Sequence, residues 1–265
     1  MASFIRSLAR EHGMLGGLPA ASSVIDELIA LNLAQRVDIT PSGSRPSRQF
    51  VVVDFASATS YDLDPLELAQ AFVPDGVLCY FSALCFHELT TQAPSFYHVA
   101  ELDHSIATPR VNVRQQGAAV SDSRQPLGTR AFEYQGVPIY STKRLARTLV
   151  GLKTYVVGPR TSYRMTSVEQ TLVDCLHRPG ACGGPSVVFE AWKKGVERIS
   201  QSRLAAVLEA SAPVLRRRTA TMLESFGTKL EQELLNLLDI PPKPVVPLLN
   251  GYPAGETETR WGVSL

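Results

Sequence analysis

The chain has no apolar run long enough to cross a bilayer as a helix, so no membrane-spanning segment is expected. Its N-terminus, Met-Ala-Ser-Phe-Ile-Arg-Ser-Leu-Ala-Arg, carries scattered arginines and no clean apolar core or cleavage site, unlike a secretory signal. A cytoplasmic location is the expectation. Cysteine is scarce: four residues (79, 85, 175 and 182) in 265 do not make a disulfide framework, and there is no Cys-x-x-Cys. Cys85-x-His87 and Cys175-x-His177 echo each other, but on a helix positions i and i+2 point about 200° apart and cannot grip one ion. The cysteines read as small buried hydrophobes, and neither metal nor cofactor is expected.

Catalytic motifs are missing too. There is no Walker-type phosphate loop, and Gly13-Met-Leu-Gly16-Gly17 lacks the preceding strand that a dinucleotide fingerprint needs. No Gly-x-Ser-x-Gly elbow occurs. His87, His98 and His104 gather loosely with Glu101 and Asp103, but no activated nucleophile accompanies them. The expectation is a protein that binds rather than catalyses. If an enzyme is hidden here, a nucleic-acid-modifying activity with Asp174 and His87 is the reading to test.

What the chain does have is length for two domains, 45% hydrophobic residues and a net charge of +1, as in an ordinary soluble globular protein. That small total hides an asymmetry. Residues 55–104 hold seven acids and no Lys or Arg, whereas 105–164 hold ten bases and two acids. Two readings follow: the segments neutralise each other across a domain core, or part of the basic one faces DNA or an acidic surface.

Residues 1–58 read as a small helical unit closed by a hairpin. Ser22 and Ser23 precede an apolar helix from about Val24 to Leu33, and strands are expected at 36–40 and 49–54. Between them lies a turn-rich loop, Pro41 to Arg48. Helix, helix and basic hairpin is the outline of a winged helix-turn-helix, though the space before Ser22 is short for a third helix. Arg36, Arg45 and Arg48 around the wing are the expected phosphate contacts, with Ser22 and Ser23 at the helix start and Arg144 and Arg147 extending the footprint. Asp26 and Glu27 suit the helix dipole but oppose a phosphate backbone.

Residues 59–265 read as an α+β domain, strands first and helices toward the C-terminal half. Asp64-Pro65 opens a short helix to Phe72, Pro74-Asp-Gly76 turns, and an apolar run covers Val77 to Leu89. Strands are expected at 96–100, 110–113, 130–134, 137–140 and 155–157, with a hairpin turn at Gln135-Gly136. Helices are expected at 167–177, 186–196, 202–211, 213–226 and 228–238. A last strand is placed near Trp261–Leu265.

The segment 164–184 is the most informative. Thr166 and Glu169 have the spacing of a capping box, and Val168, Leu172, Cys175 and Leu176 form one apolar stripe. Pro179 stops the helix near His177, and Gly183-Gly184 permit positive φ. Glu169 thus reads as a cap. Asp174 lies about 140° around the helix from it, so the two acids share no face. Arg216-Arg217-Arg218 fan around a later helix, one pairing with Glu209 or Glu224; the trio reads as a solvated face or as a partner contact.

The order Arg164…Glu169-x-Thr171-Leu172-x-Asp174…Pro179…Gly183-Gly184 resembles a signature of abortive-infection antitoxins of the AbiEi type. So do Asp64-Pro65…Leu68-Ala69…Pro74-x-Gly76…Ser82-Ala-Leu84…His87-x-Leu89-Thr90…Gln92, then Val188, Glu190 and Ala191. Arg217 with Leu223-Glu224 and Gly227, Tyr252-Pro-x-x-Gly255 and Arg260-Trp261 are similar in the same order, over about 62–265. The resemblance implies a two-domain cytoplasmic antitoxin encoded beside a nucleotidyltransferase-like toxin. Its winged-helix domain would bind inverted repeats in its own operator DNA and repress the operon. Its second domain would counter the toxin, generally without a stable complex. A stand-alone regulator of the same architecture, with no toxin, is the alternative.

Overall fold

In the computed structural model, residues 21–31, 33–42, 51–53, 63–105, 128–158, 161–253 and 255–265 are described. The chain divides into two compact units, Met1–Leu63 and Asp64–Leu265.

In the first unit, α1 (Ala21–Ala30) is followed by β1 (Ala34–Arg36), β2 (Thr40–Pro41) and β3 (Val51–Val53). β1 and β3 pair antiparallel, Arg36 opposite Val51 and Ala34 opposite Val53. The helix lies earlier than the apolar pattern alone suggests: Ser22 and Ser23 sit inside it rather than before it.

The second unit opens with α2 (Pro65–Phe72). Asp64 caps it, accepting from the Leu66 N–H at 2.9 Å, and Pro65 takes the first helical position, where its missing N–H costs nothing. The apolar run that follows has no period because nearly all of it is buried. It divides into β4 (Val77–Leu78) and α3 (Phe81–Phe86). Next come β5 (Tyr97–Asp103), β6 (Thr129–Tyr134), β7 (Val137–Leu145), β8 (Leu152–Val156) and β9 (Ser162–Thr166). Gln135 and Gly136, both at positive φ, make the two-residue turn between β6 and β7. These six strands lie in the order β6-β7-β5-β4-β9-β8. β7–β5 and β4–β9 are parallel and the other pairs antiparallel, so the sheet is mixed.

Five helices complete the unit: α4 (Val168–His177), α5 (Pro185–Gly195), α6 (Gln201–Glu209), α7 (Pro213–Ser225) and α8 (Gln232–Leu238). A short parallel pair, β10 (Val246–Pro247) and β11 (Val263–Ser264), gathers the C-terminal tail. The fold class is α+β, helical in its later half. α4 lies at the centre. Leu172, Val173, Cys175 and Leu176 belong to one core with Trp192, Leu204, Leu208 and Leu223 from the surrounding helices. Trp192 is fully buried and donates its indole N–H to the Leu172 carbonyl at 3.2 Å, so its one polar atom is satisfied. Among the described residues, no helix is long and apolar enough to cross a membrane.

Candidate functional site

The expected DNA-contact residues of the first unit are partly placed. Ser22 and Ser23 are exposed in the first turn of α1. Arg36, at the end of β1, is exposed and pairs at 2.5 Å with Asp26 of α1. An exposed pair of this kind stabilises by about 0–1 kcal/mol. Arg45 and Arg48 lie outside the described residues.

In the second unit the arginines of the basic segment take different positions. Arg147 is exposed on a 3₁₀ turn after β7, while Arg144 turns inward. Its guanidinium meets Asp174 of α4 through two bonds, Nη1–Oδ2 at 2.5 Å and Nη2–Oδ1 at 2.7 Å, with both side chains nearly excluded from solvent. It also stacks over the Tyr80 ring, 5.0 Å from the centroid. An extended footprint on DNA therefore loses Arg144, because withdrawing it would strand a buried carboxylate. Arg164 is spent on structure: its guanidinium donates to the Asp75 carbonyl, and its backbone N–H to Gln70 Oε1. Lys143 lies in register with Glu101 on the neighbouring strand, and Arg130 pairs with Glu133. The first places an acid of the 55–104 segment beside a base of the 105–164 segment, and the second is an exposed pair within the basic segment itself.

The cap of α4 is shifted by one residue from the expected one. Ser167 is the N-cap and accepts from the Gln170 N–H, while Thr166 turns its hydroxyl to Thr171 at 2.8 Å. Glu169 does not close the expected capping box, since the N–H of the N-cap Ser167 bonds the Gly151 carbonyl; it serves a neighbouring helix. It is buried and accepts from the Ser200 N–H at 3.1 Å and from Arg203 Nε at 2.9 Å, so a carboxylate on α4 closes the start of α6. Ser200 makes no side-chain cap there itself, and the acid suits a helix N-terminus. These hydrogen bonds hold Glu169 below the usual carboxylate range, although burial alone pushes it up. The polar face of α4 is thus buried and paired instead of solvated.

Asp174 and His87 do not converge as an acid–base pair. His87 is buried with Nε2 2.7 Å from the Thr166 carbonyl, and burial lowers its pKa, so the neutral ring donates there. All four cysteines are free; Cys79, Cys175 and Cys182 are buried, and burial pushes Cys79 up to about 12, which makes it a poor nucleophile at neutral pH. Gly183 and Gly184 have φ of 90° and 94°. A Cβ at Gly183 would come within 2.9 Å of Phe81 and 2.8 Å of Val187, so the Gly-Gly exit is both a left-handed turn and a close approach.

Arg216, Arg217 and Arg218 all bind backbone carbonyls. Arg216 caps the end of α6 at Leu208 and Glu209. Arg217, buried, holds Pro242 and Pro244 of the tail at 2.5 and 2.8 Å, and Arg218, also buried, holds Pro247 and Leu176. Glu224, expected as a partner of this trio, pairs instead with Arg260 and the Trp261 indole. Sequence reasoning passed over Gln70. Its amide donates to the Val73, Pro74 and Gly76 carbonyls while its oxygen receives Arg164, tying the α2–β4 turn to β9. Nothing in the local pattern distinguishes it from a solvated helix residue.

No family model matches the chain, and no curated protein matches it. Among solved structures it is similar to the crystal structure of the RV2827C protein from Mycobacterium tuberculosis. The identity is 16% and the TM-score 0.55, over 97% of this chain and 84% of that one. A likeness at that identity concerns the fold alone.

Proposed function

We propose that the chain is the antitoxin of a two-gene abortive-infection system, acting in the cytoplasm by binding rather than by catalysis. The first unit is a winged helix-turn-helix-like module that binds inverted repeats in its operator DNA and represses the operon. The second unit is an AbiEi-type antitoxin domain that counters a nucleotidyltransferase-like toxin, without requiring a stable complex. The observation that carries the DNA-binding reading is the order helix then antiparallel pair: α1 followed by β1 and β3, with the arginine-bearing segment between the paired strands. In the second unit the reading is supported by the motif residues Glu169, Asp174, Gly183 and Gly184. They sit together around one central helix and its exit, as parts of a shared domain frame.

The test is co-expression with the adjacent gene. Growth arrest by the neighbour alone, relieved by this chain, is the expected result. A harmless neighbour without a nucleotidyltransferase pattern would overturn the antitoxin reading in favour of a stand-alone regulator.

A further inference from the structure

β8 is the last strand in its sheet order, and among the described residues no strand lies beyond it. Which of its backbone groups face outward follows from the ladder. The Ser167 N–H bonds the Gly151 carbonyl at 2.7 Å and the Val157 N–H bonds the Thr161 carbonyl at 3.0 Å. With Leu152 opposite Thr166 and Val156 opposite Ser162, these are hydrogen-bonded pairs at both ends of the strand. Antiparallel ladders alternate, so Lys153 and Tyr155 also bond β9, while the backbones of Thr154 and Val156 point away from the sheet. An edge of this kind can accept another strand.

The surroundings of that edge are cationic. Tyr155 packs on the His87 ring at 5.4 Å, and Arg198 donates to the His87 carbonyl at 2.6 Å. Lys153 shares the Tyr155 face of β8, and both Lys153 and Arg198 lie near enough to His87 to disfavour its protonation. Arg203 stands beside them, its side chain 54% exposed and paired with the buried Glu169. Glu88 and Glu197, the acids adjacent in the chain, form no ion pair with Lys153 or Arg198. Three exposed cations thus gather on this side of the edge, and of them only Arg203 is paired with a carboxylate. The opposite face offers Val156, 80% exposed.

We infer that the β8 edge is a docking strand for an extended acidic segment of a partner protein, which adds as the next strand of the sheet. The backbones of Thr154 and Val156 supply the main-chain bonds. Val156 gives an apolar contact on one face, and Lys153, Arg198 and Arg203 meet the partner's carboxylates on the other. Open backbone bonds favour a peptide over a nucleic acid, whose backbone cannot complete a strand ladder. The inference stands apart from the role of the first unit.

The test uses the full chain and fluorescence anisotropy with a labelled peptide of alternating valine and glutamate, about eight residues long to overlap the strand at ~3.3 Å per residue. A valine–lysine peptide and a single-stranded oligothymidine serve as comparison probes. Thr154→Pro removes an outward N–H and leaves the β8–β9 bonds intact. Lys153→Glu reverses a charge on an exposed side chain and leaves every backbone bond in place, so it carries the test if the proline variant does not fold. The acidic peptide is expected to bind, the lysine peptide not, and each variant to weaken binding at least tenfold. No binding of the acidic peptide, or equal binding by the charge variant, would overturn the inference. Preferred binding of the oligonucleotide would overturn it in favour of a nucleic-acid surface. Concentration-dependent dimerisation abolished by Thr154→Pro would overturn it in favour of a second copy on this edge.

Discussion

Arg144 and Asp174, 30 residues apart in sequence, close two hydrogen bonds of 2.5 and 2.7 Å between β7 and α4 in the interior of the second unit. Gln170, one turn before Asp174, donates to the same carboxylate at 3.1 Å, and Tyr80 presents its ring to the guanidinium. Tyr80 itself has a positive φ of 55°, an uncommon conformation for a bulky residue, at the start of α3. The sheet, α3 and α4 therefore meet at one ion pair. Burial disfavours the Arg144 charge, but the Asp174 carboxylate more than offsets it and raises the guanidinium further above its ordinary range.

Removing one partner should be far worse than removing both. Asp174→Ala leaves a buried guanidinium uncompensated, a change expected to cost about 3–5 kcal/mol. Arg144→Met combined with Asp174→Leu replaces the pair by apolar groups of similar volume and should recover most of that loss. Urea unfolding of the two variants and the wild type checks this. If Asp174→Ala unfolds at the wild-type midpoint, the pair does not hold the domain together.

His177, at the end of α4, should make the second unit sensitive to acid. Burial first, and then the positive charge of Arg178, hold its pKa down to about 4, with Arg144 and Arg218 acting in the same direction and Asp174 against them. In the unfolded chain the ring titrates near its ordinary 6.5. Below that pH the unfolded state binds more protons, so stability falls from about pH 6.5 down to about pH 4 and then levels off. The depression sets a ceiling of about 3 kcal/mol on the loss. His177→Gln should flatten the curve in this window. Parallel pH profiles for wild type and variant would refute it.

How legible these features are in the sequence depends on how local their causes are. Asp64-Pro65 marks the start of α2, and Pro179 stops α4 at His177, because caps and prolines act within one turn of chain. The Gln135-Gly136 hairpin is likewise written in two adjacent residues. β9 escaped notice although Ser162–Thr166 alternates polar and apolar residues, because the alternation lasts only five positions and runs into the helix start; parallel pairing with β4 and antiparallel pairing with β8 make it a strand. The helix expected from 228 begins at Gln232, since Gly227 at φ 66° closes α7 and the chain needs residues 228–231 to turn. At the site the limits are sharper. Glu169 and Asp174 are visible as acids on different faces of a helix, but their partners Arg203 and Arg144 lie 34 and 30 residues away. No periodicity encodes such a distance, and so Arg144 reads as a surface base.

Arg217 makes a prediction about the tail. Its Nη1 holds the carbonyls of Pro242, Pro244 and Gly262, and no acid pairs with it among the described residues. Arg217→Met keeps most of the volume and strips the donors, which costs about 1–3 kcal/mol for each carbonyl left buried and unpaired. The tail should then open before the rest of the unit. Limited proteolysis read by mass spectrometry should show new early cleavage within 240–265, with a lower unfolding midpoint. Unchanged cleavage would mean that the strand pair Val246–Pro247 with Val263–Ser264 holds the tail by itself.

The wing assignment makes the last prediction. Arg36 has a weak local partner in Asp26, whereas Arg45 and Arg48 lie in the segment joining the paired strands of the first unit. If these two arginines each neutralise a phosphate, every contact releases condensed counterions and contributes about 0.9 to the slope of log affinity against log salt. Arg45→Ala with Arg48→Ala should therefore weaken operator binding and flatten the salt dependence by about two units. Arg144→Met combined with Asp174→Leu should leave that slope unchanged, because the guanidinium already belongs to Asp174. Gel shifts across a salt series separate the cases. An unchanged slope in the wing variant would remove DNA contact from this loop, and a reduced slope in the variant lacking Arg144 and Asp174 would mean that their ion pair opens on DNA.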